Sequence, residues 1–433
     1  MAKNTERRRS TAVYTRQIKK EEQSGYVELP FEMPEGVEEI HVAYEFVSHG
    51  ETKAVIDLGI RDGSRVRGWS GGARSEFRMA RHAATPGYMP GPLEPGGWAV
   101  LHNAYKVPEE GCLVTVTIEF IYKTPRWLKG DLHTHSEHSD GSFTLEENAA
   151  IMESLGCDFI AMTDHNTISQ NLAYPRHTNV LMIPGTEFTT NFGHSNFLGV
   201  TDPMDDFRVS GQADVEEKLR TARSRGAKIV LNHPHCDWCP WEWGFSVEHD
   251  WVEIWNGPWS ARNARTLAWW QEQLAAGRRL AAVGGSDVHR PDPFVKHAMP
   301  CTWVWAESKT VESILAGIDR GHVLITYAPD GPFSELGCEA YRMGDVVPLA
   351  AKQREVLVRA EDLHSGDRVL LISDRGVERE TVVAYEGSLE WKEASEGRLF
   401  LRVEIWRYFE EAGEMLLAAL TNPLYFERLS EEG

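Results

Sequence analysis

Hydrophobic and polar residues alternate with a period of two in the first quarter of the chain. Val42, Tyr44 and Phe46 are separated by less apolar residues, and residues 114–120 repeat the pattern. This alternation is typical of half-buried strands. Gly- and Pro-rich stretches such as residues 86–92 predict the loops between them. We therefore expect a β-sandwich-like domain over residues 21–125, preceded by a flexible basic tail over residues 1–20.

The pattern changes over residues 126–330, where short apolar strands alternate with helical stretches. Thr144-Leu-Glu-Glu147 has the spacing of a capping box and predicts the start of a helix, which Gly156 then ends. Strand and helix in series favour a parallel sheet, and we expect this sheet to close into a barrel. The expected strands include 159–162, 180–183, 228–231, 252–255 and 280–283, and the expected helices lie near 213–226, 260–276 and 310–321.

Residues 331–433 return to the strand-like alternation, which predicts a C-terminal β-rich domain. Leu401, Val403 and Ile405, for example, alternate with Arg402, Glu404 and Trp406. The chain of 433 residues is long enough for two or three domains of about 150 residues each.

Charge and composition narrow the range of partners. A net charge of -20 repels phosphate backbones and anionic lipid, so we expect a small-molecule substrate rather than nucleic acid or a membrane. No apolar run could span a bilayer, and the basic N-terminus lacks the apolar core of a secretion signal. The six cysteines form no regular framework, which favours a reducing compartment. We therefore expect a cytoplasmic protein, and the sequence leaves its oligomeric state open.

Histidine and carboxylate residues follow the apolar strands of the middle region. In parallel α/β folds the carboxyl ends of the strands carry the active site, so these segments are expected to meet at one rim. The six segments are Asp131-Leu-His133-Thr-His135, Thr163-Asp-His165-Asn166, Gly185-Thr-Glu187, Gly193-His194, Asn232-His233-Pro234-His235 and Gly285-Ser-Asp287-Val-His289.

Metal binding explains these residue types better than ordinary packing does. A single histidine is usually a hydrogen-bonded structural residue, but that role does not explain why so many histidines occur at strand ends. In a strand, residues i and i+2 point to the same face, so His133 and His135 can hold one ion together. Imidazole and carboxylate ligands suit zinc, manganese or iron and do not choose among them. We expect two or three divalent ions.

The motifs resemble those of the PHP (polymerase and histidinol phosphatase) superfamily. The resemblance covers about 127–330 and rests on Asp-Leu-His-Thr-His-Ser followed by Ser139-Asp140-Gly141, on Thr-Asp-His-Asn and on Gly-Ser-Asp-Val-His. The flanking Arg67-Gly-Trp-Ser-Gly-Gly-Ala73 and the late Thr-Asn-Pro are similar to the carbaryl-hydrolase-related branch. The resemblance implies a distorted (β/α)7 TIM-like barrel with a trinuclear site, flanked by the two β-rich regions.

The resemblance also implies a role for each matching residue. His133 and His135 would hold the first ion, and Glu187 would bridge the first and second ions. Asp287 would bind the first ion, with a bridging position left open. His194 and His233 would complete the second ion. The third ion would be held by Asp140, where some members have histidine, together with His165 and His289.

Other residues near these motifs receive weaker assignments. Asp131 and Asp164 are expected to orient the chain or a histidine, whereas His138 and His235 match no ligand position. The Cys236-x-x-Cys239 pair has no second pair with which to build a four-ligand zinc site, so neither a redox nor a zinc role is expected. Arg290 could contact an anionic substrate or lie on the surface. Six tryptophans could equally pack in the core or form an apolar wall for a substrate: 238, 241, 243, 251, 255 and 259.

The predicted chemistry is hydrolysis without a protein nucleophile. Two ions about 3.5–4 Å apart can share a water and lower its pKa toward about 7. The nucleophile would be the metal-bridging hydroxide held at Glu187 and Asp287. A phosphoesterase acting on a small organic phosphate is the first interpretation. A carboxylic ester or carbamate hydrolase using the same metals is the second, and a non-catalytic metal-binding regulatory protein is the third.

Overall fold

The computed structural model describes residues 6–48, 53–175, 177–349, 354–395 and 397–428. The chain divides into two compact units. One comprises Ala2–Pro125 with the short segment Arg176–Asn179, and the other comprises Arg126–Pro175 and the chain from Val180 onward. Within the described residues, none of the helices has the length and apolar character needed to cross a membrane.

The N-terminal unit consists of two antiparallel sheets that share one hydrophobic core. One sheet has the order β1-β9-β3-β7, and the other has the order β2-β8-β5-β6 with β4 beside β8. Alternate residues of β9, from Val114 to Phe120, are buried in that core, as the period of two predicts. The strands are β1 (Arg9–Ile18), β2 (Tyr26–Met33), β3 (Val37–Ser48), β4 (Val55–Ile56), β5 (Leu58–Arg61), β6 (Val66–Gly71), β7 (Glu76–Ala80), β8 (Gly96–Lys106) and β9 (Cys112–Tyr122), with a 3-10 turn at Lys20–Glu22.

The prediction of a flexible tail over residues 1–20 is wrong for residues 9–18. These residues form β1, which pairs with β9 along its whole length. Ion pairs explain why a basic segment joins a sheet: Arg9 contacts Glu119 at 2.9 Å, and Arg16 contacts Glu22 at 2.8 Å. Ile18 at the end of the strand is fully buried. Residues 1–5 lie outside the described residues.

The second unit begins with a mixed α/β region. Strands β10, β11 and β12 are parallel neighbours, as are β14, β15 and β16, and β13 runs antiparallel between the two sets. Helix α1 begins at the predicted capping box, where Glu147 N donates to Thr144 Oγ1 at 3.1 Å. The strands are β10 (Arg126–Thr134), β11 (Phe159–Met162), β12 (Leu181–Thr190), β13 (Gly193–Leu198), β14 (Lys228–Leu231), β15 (Trp251–Asn256), β16 (Ala281–Gly285), β17 (Cys301–Ala306) and β18 (Val323–Thr326). The helices are α1 (Leu145–Ser154), α2 (Gln212–Ser224), α3 (Ala261–Ala275) and α4 (Val311–Asp319), with a 3-10 turn at Gln170–Leu172.

Six of the ten described C-terminal strands continue the sheet of the α/β region, and the other four form a separate sheet with the order β20-β19-β22-β25. Strand β18 pairs with β27, and β26, β23 and β24 follow in order, so the predicted boundary near residue 330 lies inside one compact unit. Asn422 joins the two regions, because its side chain exchanges two hydrogen bonds with the Ala282 backbone at 2.8–2.9 Å. The strands are β19 (Phe333–Cys338), β20 (Tyr341–Arg342), β21 (Val346–Leu349), β22 (Glu355–Leu363), β23 (Arg368–Ser373), β24 (Gly376–Val382), β25 (Gly387–Ala394), β26 (Phe400–Phe409), β27 (Glu414–Thr421) and β28 (Leu424–Arg428).

Candidate metal centre

The nine residues assigned as ligands from the sequence lie together at one end of strands β10–β16. His133 lies near the end of β10, and Glu187 and His194 lie on the paired strands β12 and β13. Asp140 lies on the loop after β10, and the other five residues follow their strands within four positions: His135, His165, His233, Asp287 and His289. Their donor atoms form four overlapping groups in which every atom lies within 4.8 Å of the others. We define the inner group as His133, Glu187, His233 and Asp287, and the outer group as His135, Asp140, His165 and His289.

Glu187 lies at the centre of the cluster and is fully buried. Its Oε1 lies 3.1 Å from His194 Nδ1, 3.3 Å from His133 Nε2 and 3.5 Å from His233 Nε2. Its Oε2 lies 2.8 Å from His165 Nδ1 and 3.6 Å from His135 Nε2. Five histidines therefore surround one carboxylate, which is the position that a bridging ligand requires.

Asp287 contacts the first-motif histidines from the opposite side. Its Oδ1 lies 3.0 Å from His135 Nε2 and 3.3 Å from His133 Nε2. The backbone of Asp287 has a φ of 56°, in the left-handed region, and His233 has a φ of 28°. Non-glycine residues adopt such conformations only when the surrounding structure fixes them, and they concentrate at functional sites.

The outer group is open to solvent. The Asp140 side chain is 58% exposed, and its Oδ1 lies 3.3 Å from His289 Nε2 and 3.5 Å from His165 Nε2. Gly141 allows the loop to reach this position, because a Cβ there would lie 2.8 Å from the backbone of His135 and Ser136. The predicted Ser-Asp-Gly motif thus has a steric reason as well as a chemical one.

Glu253 is a buried carboxylate that the sequence analysis missed. Its Oε1 accepts a hydrogen bond from His133 Nδ1 at 2.9 Å, and its Oε2 accepts one from the His233 backbone N–H at 3.0 Å. A carboxylate on the far nitrogen of an imidazole fixes the ring and leaves Nε2 free for a metal. The signal was a glutamate inside the apolar stretch Val252-Glu-Ile-Trp255, which becomes β15.

One amide and one hydroxyl side chain also contact the ligand residues, and neither was identified from the sequence. Asn232 Nδ2 donates to Glu187 Oε1 at 2.8 Å, and Thr189 Oγ1 lies 2.6 Å from His165 Nδ1. Asn232 precedes a predicted ligand, and Thr189 lies two residues beyond Glu187. Their identity as partners depends on how β12 and β14 are aligned, which no local pattern specifies.

Asp131 and Asp164 orient the chain rather than a histidine ring. Asp131 accepts backbone hydrogen bonds from His133, Ser286 and Ala298 at 2.7–3.2 Å, so it joins the first and last motifs. Burial raises the pKa of Asp131 to about 6, although these hydrogen bonds oppose the change. Asp164 accepts from the backbone and hydroxyl of Ser136, both at 2.8 Å.

The charges of the cluster perturb its titrations strongly. Burial disfavours the charged imidazolium, yet Asp287, Glu253 and Glu187 raise the pKa of His133 well above its usual value. Burial likewise opposes ionisation of Glu187, but His133 and His194 lower its pKa well below the usual range. The buried imidazoles and carboxylates thus favour each other's charged forms.

The residues present fit divalent metal ions. Three buried atoms of these side chains make no hydrogen bond among the described residues: His133 Nε2, His135 Nδ1 and Glu187 Oε2. Buried polar atoms without partners are costly, and a metal ion would satisfy ligand atoms of this kind. Because Glu253 accepts the Nδ1 proton of His133, the neutral ring presents a lone pair at Nε2. The donors are those of zinc, manganese or iron sites.

The remaining residues singled out from the sequence divide between structure and surface. His138 Nδ1 lies 2.8 Å from Ser169 Oγ, and His235 Nδ1 lies 3.2 Å from Thr266 Oγ1, so neither joins a ligand group. Arg290 is exposed. Cys239 does lie beside the cluster, with its Sγ 3.7 Å from His233 Nδ1. No metal role for this thiol was expected from the sequence.

The six tryptophans are not one substrate wall. Three of them, at positions 241, 251 and 255, are buried in the core. Trp259 is half-buried and packs against Trp255 with ring centroids 5.0 Å apart. Trp238 is 92% exposed. Trp243 is half-buried and donates to Thr190 Oγ1 at 2.9 Å, close to the outer group.

Comparisons with known proteins give only distant similarity. No family model and no curated protein matches the chain. A two-domain protein from Bacteroides vulgatus, containing a predicted PHP-like metal-dependent phosphoesterase, is 15% identical with a TM-score of 0.38, over 68% of this chain and 95% of that one. An amidohydrolase from Chromobacterium violaceum is 16% identical with a TM-score of 0.29, over 39% of this chain and 89% of that one.

A third solved structure, from Bifidobacterium adolescentis, belongs to a protein predicted to be a metal-dependent phosphoesterase. It is 15% identical with a TM-score of 0.26, over 43% of this chain and 95% of that one. Similarity at this level assigns no family. The functional conclusion therefore rests on the geometry of the inner and outer groups.

Proposed function

We propose that the protein is a metal-dependent hydrolase of the PHP type that acts on a small organic phosphate. The proposal rests mainly on one observation: ring nitrogens of five histidines lie 2.8–3.6 Å from the carboxylate oxygens of the buried Glu187. So many imidazoles around a carboxylate, with buried atoms of His133 and Glu187 left without a hydrogen-bond partner among the described residues, have few uses other than binding metal ions.

The residues of the chain divide the work of the site. When bound, two or three divalent ions would supply a hydroxide nucleophile at neutral pH and neutralise charge on the substrate oxygens. Glu253 holds His133 and the backbone of His233, and Asn232 holds Glu187. Preorganised ligands of this kind keep the site in its reactive geometry without paying a reorganisation cost at each turnover. No serine or cysteine nucleophile is part of the proposal.

A phosphate substrate is favoured by the openness of the outer group. Asp140 is the most exposed residue of the cluster at 58%, and the adjacent His165 and His289 are partly exposed, so a substrate can approach there. An ion held by these three residues could bind a phosphate oxygen. A protein of net charge -20 would otherwise repel an anionic substrate, so local cations must dominate the field at the site.

We also propose that strands β10–β16 close into the distorted (β/α)7 barrel that the resemblance implies. The support comes from the place where the first and last of these strands meet. Thr134 at the end of β10 forms a parallel bridge with Val288 just after β16. His135 N donates to Val288 O at 3.1 Å, and Asp287 N donates to His133 O at 2.8 Å. Gly285 permits this approach, since a Cβ there would lie 2.4 Å from His133 Cβ.

A carboxylic ester or carbamate hydrolase is the second candidate. The half-buried Trp243 packs against the exposed Phe192, with ring centroids 5.2 Å apart, near Thr190. Aromatic side chains beside a metal centre suit the organic part of a neutral substrate. A non-catalytic metal-binding protein is a third outcome of the test below.

Turnover of p-nitrophenyl phosphate and p-nitrophenyl acetate, each with and without added manganese, tests the proposal. The wild type should prefer the phosphate, and Asp140→Asn should lower phosphate turnover by about 10²-fold or more, because one stabiliser of transition-state charge is lost. Acetate turnover should fall less. The exposed Glu146→Gln in α1 is the matched control and should change neither activity. Acetate or carbamate turnover far above phosphate turnover would make the second candidate correct, and bound metal without either activity would favour the third.

A further inference from the structure

The segment after β14 folds back on itself and brings a cysteine against a ligand histidine. Cys236 N donates to His233 O at 2.8 Å, and Trp241 N donates to Pro234 O at 3.0 Å, so residues 233–241 form a compact loop. Cys239 is half-buried in this loop, and its Sγ lies 3.7 Å from His233 Nδ1. The position of Cys239 shortly after His233 in the sequence places it near the site but does not specify this contact.

His194, His233 and Cys239 together have the geometry of a metal site. One donor atom from each lies within 4.8 Å of the other two. Around a tetrahedral zinc ion, with Zn–S near 2.3 Å and Zn–N near 2.0–2.1 Å, sulfur and nitrogen ligands stand about 3.6 Å apart. The observed 3.7 Å between Cys239 Sγ and His233 Nδ1 is close to that value, so His233 would bind this ion through Nδ1, whereas its Nε2 faces Glu187.

We propose that Cys239 is a thiolate ligand of the ion held by His194 and His233. This inference rests on the proposed function, because it concerns one position of the same cluster. Two imidazoles and a thiolate form a softer donor set than the imidazole and carboxylate ligands of the outer group. Thiolate ligands select zinc, whereas carboxylate-rich sites accept manganese or iron. The cluster therefore has unequal positions, and the one at Cys239 is specific for zinc.

The neighbouring Cys236 does not share this role. It is buried, and its Sγ accepts a hydrogen bond from Arg262 Nη1 at 3.7 Å. It belongs to none of the donor groups found in the described part of the chain. Its Sγ lies 3.4 Å from Cys239 Sγ, so the two residues have almost the same surroundings. Cys236 is thus a matched control for Cys239.

Cobalt substitution of the full-length protein tests the proposal without relying on activity. Cobalt(II) replaces zinc and gives an intense near-ultraviolet charge-transfer absorption only when a thiolate is bound to it. Under reducing conditions, the wild type loaded with cobalt should show this band. Cys239→Ser should lose it, and Cys236→Ser should keep it. Cys239→Ser should also lower the affinity of this position for zinc at least about tenfold, because loss of even a hydrogen-bond partner of a ligand lowers metal affinity by about that factor.

The outcomes separate this inference from the proposed function. Elemental analysis of the same samples gives the amount of cobalt bound. More than one equivalent of cobalt without a charge-transfer band would overturn the thiolate ligand and leave the metal cluster intact. A band that disappears in Cys236→Ser and persists in Cys239→Ser would also overturn the proposal. A protein that binds no cobalt would overturn both the thiolate ligand and the proposed function.

Discussion

The inner and outer groups of the cluster are held in different ways. The His133, Glu187 and His233 side chains of the inner group are at most 4% exposed, whereas Asp287 is 25% exposed, and Glu253 and Asn232 hold this group with hydrogen bonds. In the outer group, Asp140 is 58% exposed on a loop, and His165 and His289 are 24% and 22% exposed. The inner group is therefore held mainly by buried contacts, while solvent reaches the outer group mainly at Asp140, since His135 is fully buried.

Glu187→Gln should have the largest effect, because one change weakens the contacts of five histidines at once. We expect the bound transition metal to fall below one equivalent and turnover to fall by at least about 10³-fold. Elemental analysis and steady-state kinetics measure both, with Glu146→Gln as the control. A variant that retains the metal content of the wild type would show that Glu187 is not a shared ligand.

Glu253→Gln tests whether the inner group depends on its outer support. The amide keeps the size of the side chain but removes the charge that accepts the His133 Nδ1 proton. Loss of such a partner weakens metal binding by about 10–100-fold, and we expect a value in that range. Competition with a chromogenic chelator measures the affinity. Unchanged affinity would mean that His133 needs no fixed orientation.

Asp140→Asn should separate the two groups. Because Asp140 contacts only the outer histidines in the described structure, the variant should lose the equivalent of metal bound there and keep those of the inner group. Metal content after dialysis provides the measurement. Parallel loss from both groups would contradict the division, since it would show that the positions bind cooperatively.

The smallest expected change concerns the support beneath the outer group. Buried His297 contacts Asn148 Oδ1 at 2.7 Å, and Asn148 Nδ2 donates to His135 O at 3.5 Å. Burial lowers the pKa of His297 from 6.5 to about 4. The folded state thus binds this proton more weakly than the unfolded state does. The contribution of the neutral His297 to the free energy of unfolding is therefore fully present above pH 6.5 and is lost as the pH falls toward 4.

His297→Gln keeps a hydrogen-bond donor but removes this titration. Between neutral pH and about 4, the variant should lose less free energy of unfolding than the wild type, by on the order of 3 kcal/mol. Urea unfolding of both proteins at several pH values gives the difference, and titrations of the cluster cancel because both proteins share them. An identical pH dependence would show that His297 is not buried as the structure indicates.

The proximity of the nine residues could be expected from the sequence because the signals are local. Each predicted ligand belongs to a short motif at a strand end, such as His133-Thr-His135, and the parallel strands bring these ends together. Glu253 and Cys239 were missed because their contacts depend on tertiary structure: one lies inside β15, and the other is brought back by a loop. The assignment of single ions to the nine residues stays a prediction.

Two features of the fold were misjudged for a related reason. Residues 9–18 contain many charged and polar side chains and few apolar ones, and they join a sheet because β9 supplies both hydrogen bonds and Glu119. The region beyond residue 330 has the alternation of a separate β domain, yet β27 pairs with β18. Strand alternation identifies strands but does not identify their partners.

The central claim is that the inner and outer groups together hold more than one metal ion around Glu187. A crystal structure of the protein grown with manganese or zinc, with diffraction data collected at the absorption edge of the metal, tests it most directly. The account predicts at least two anomalous peaks among the nine residues, about 3.5–4 Å apart, with Glu187 between them. A fully metal-supplemented crystal with no anomalous peak in the cluster, or with a single peak that Glu187 does not contact, would contradict it.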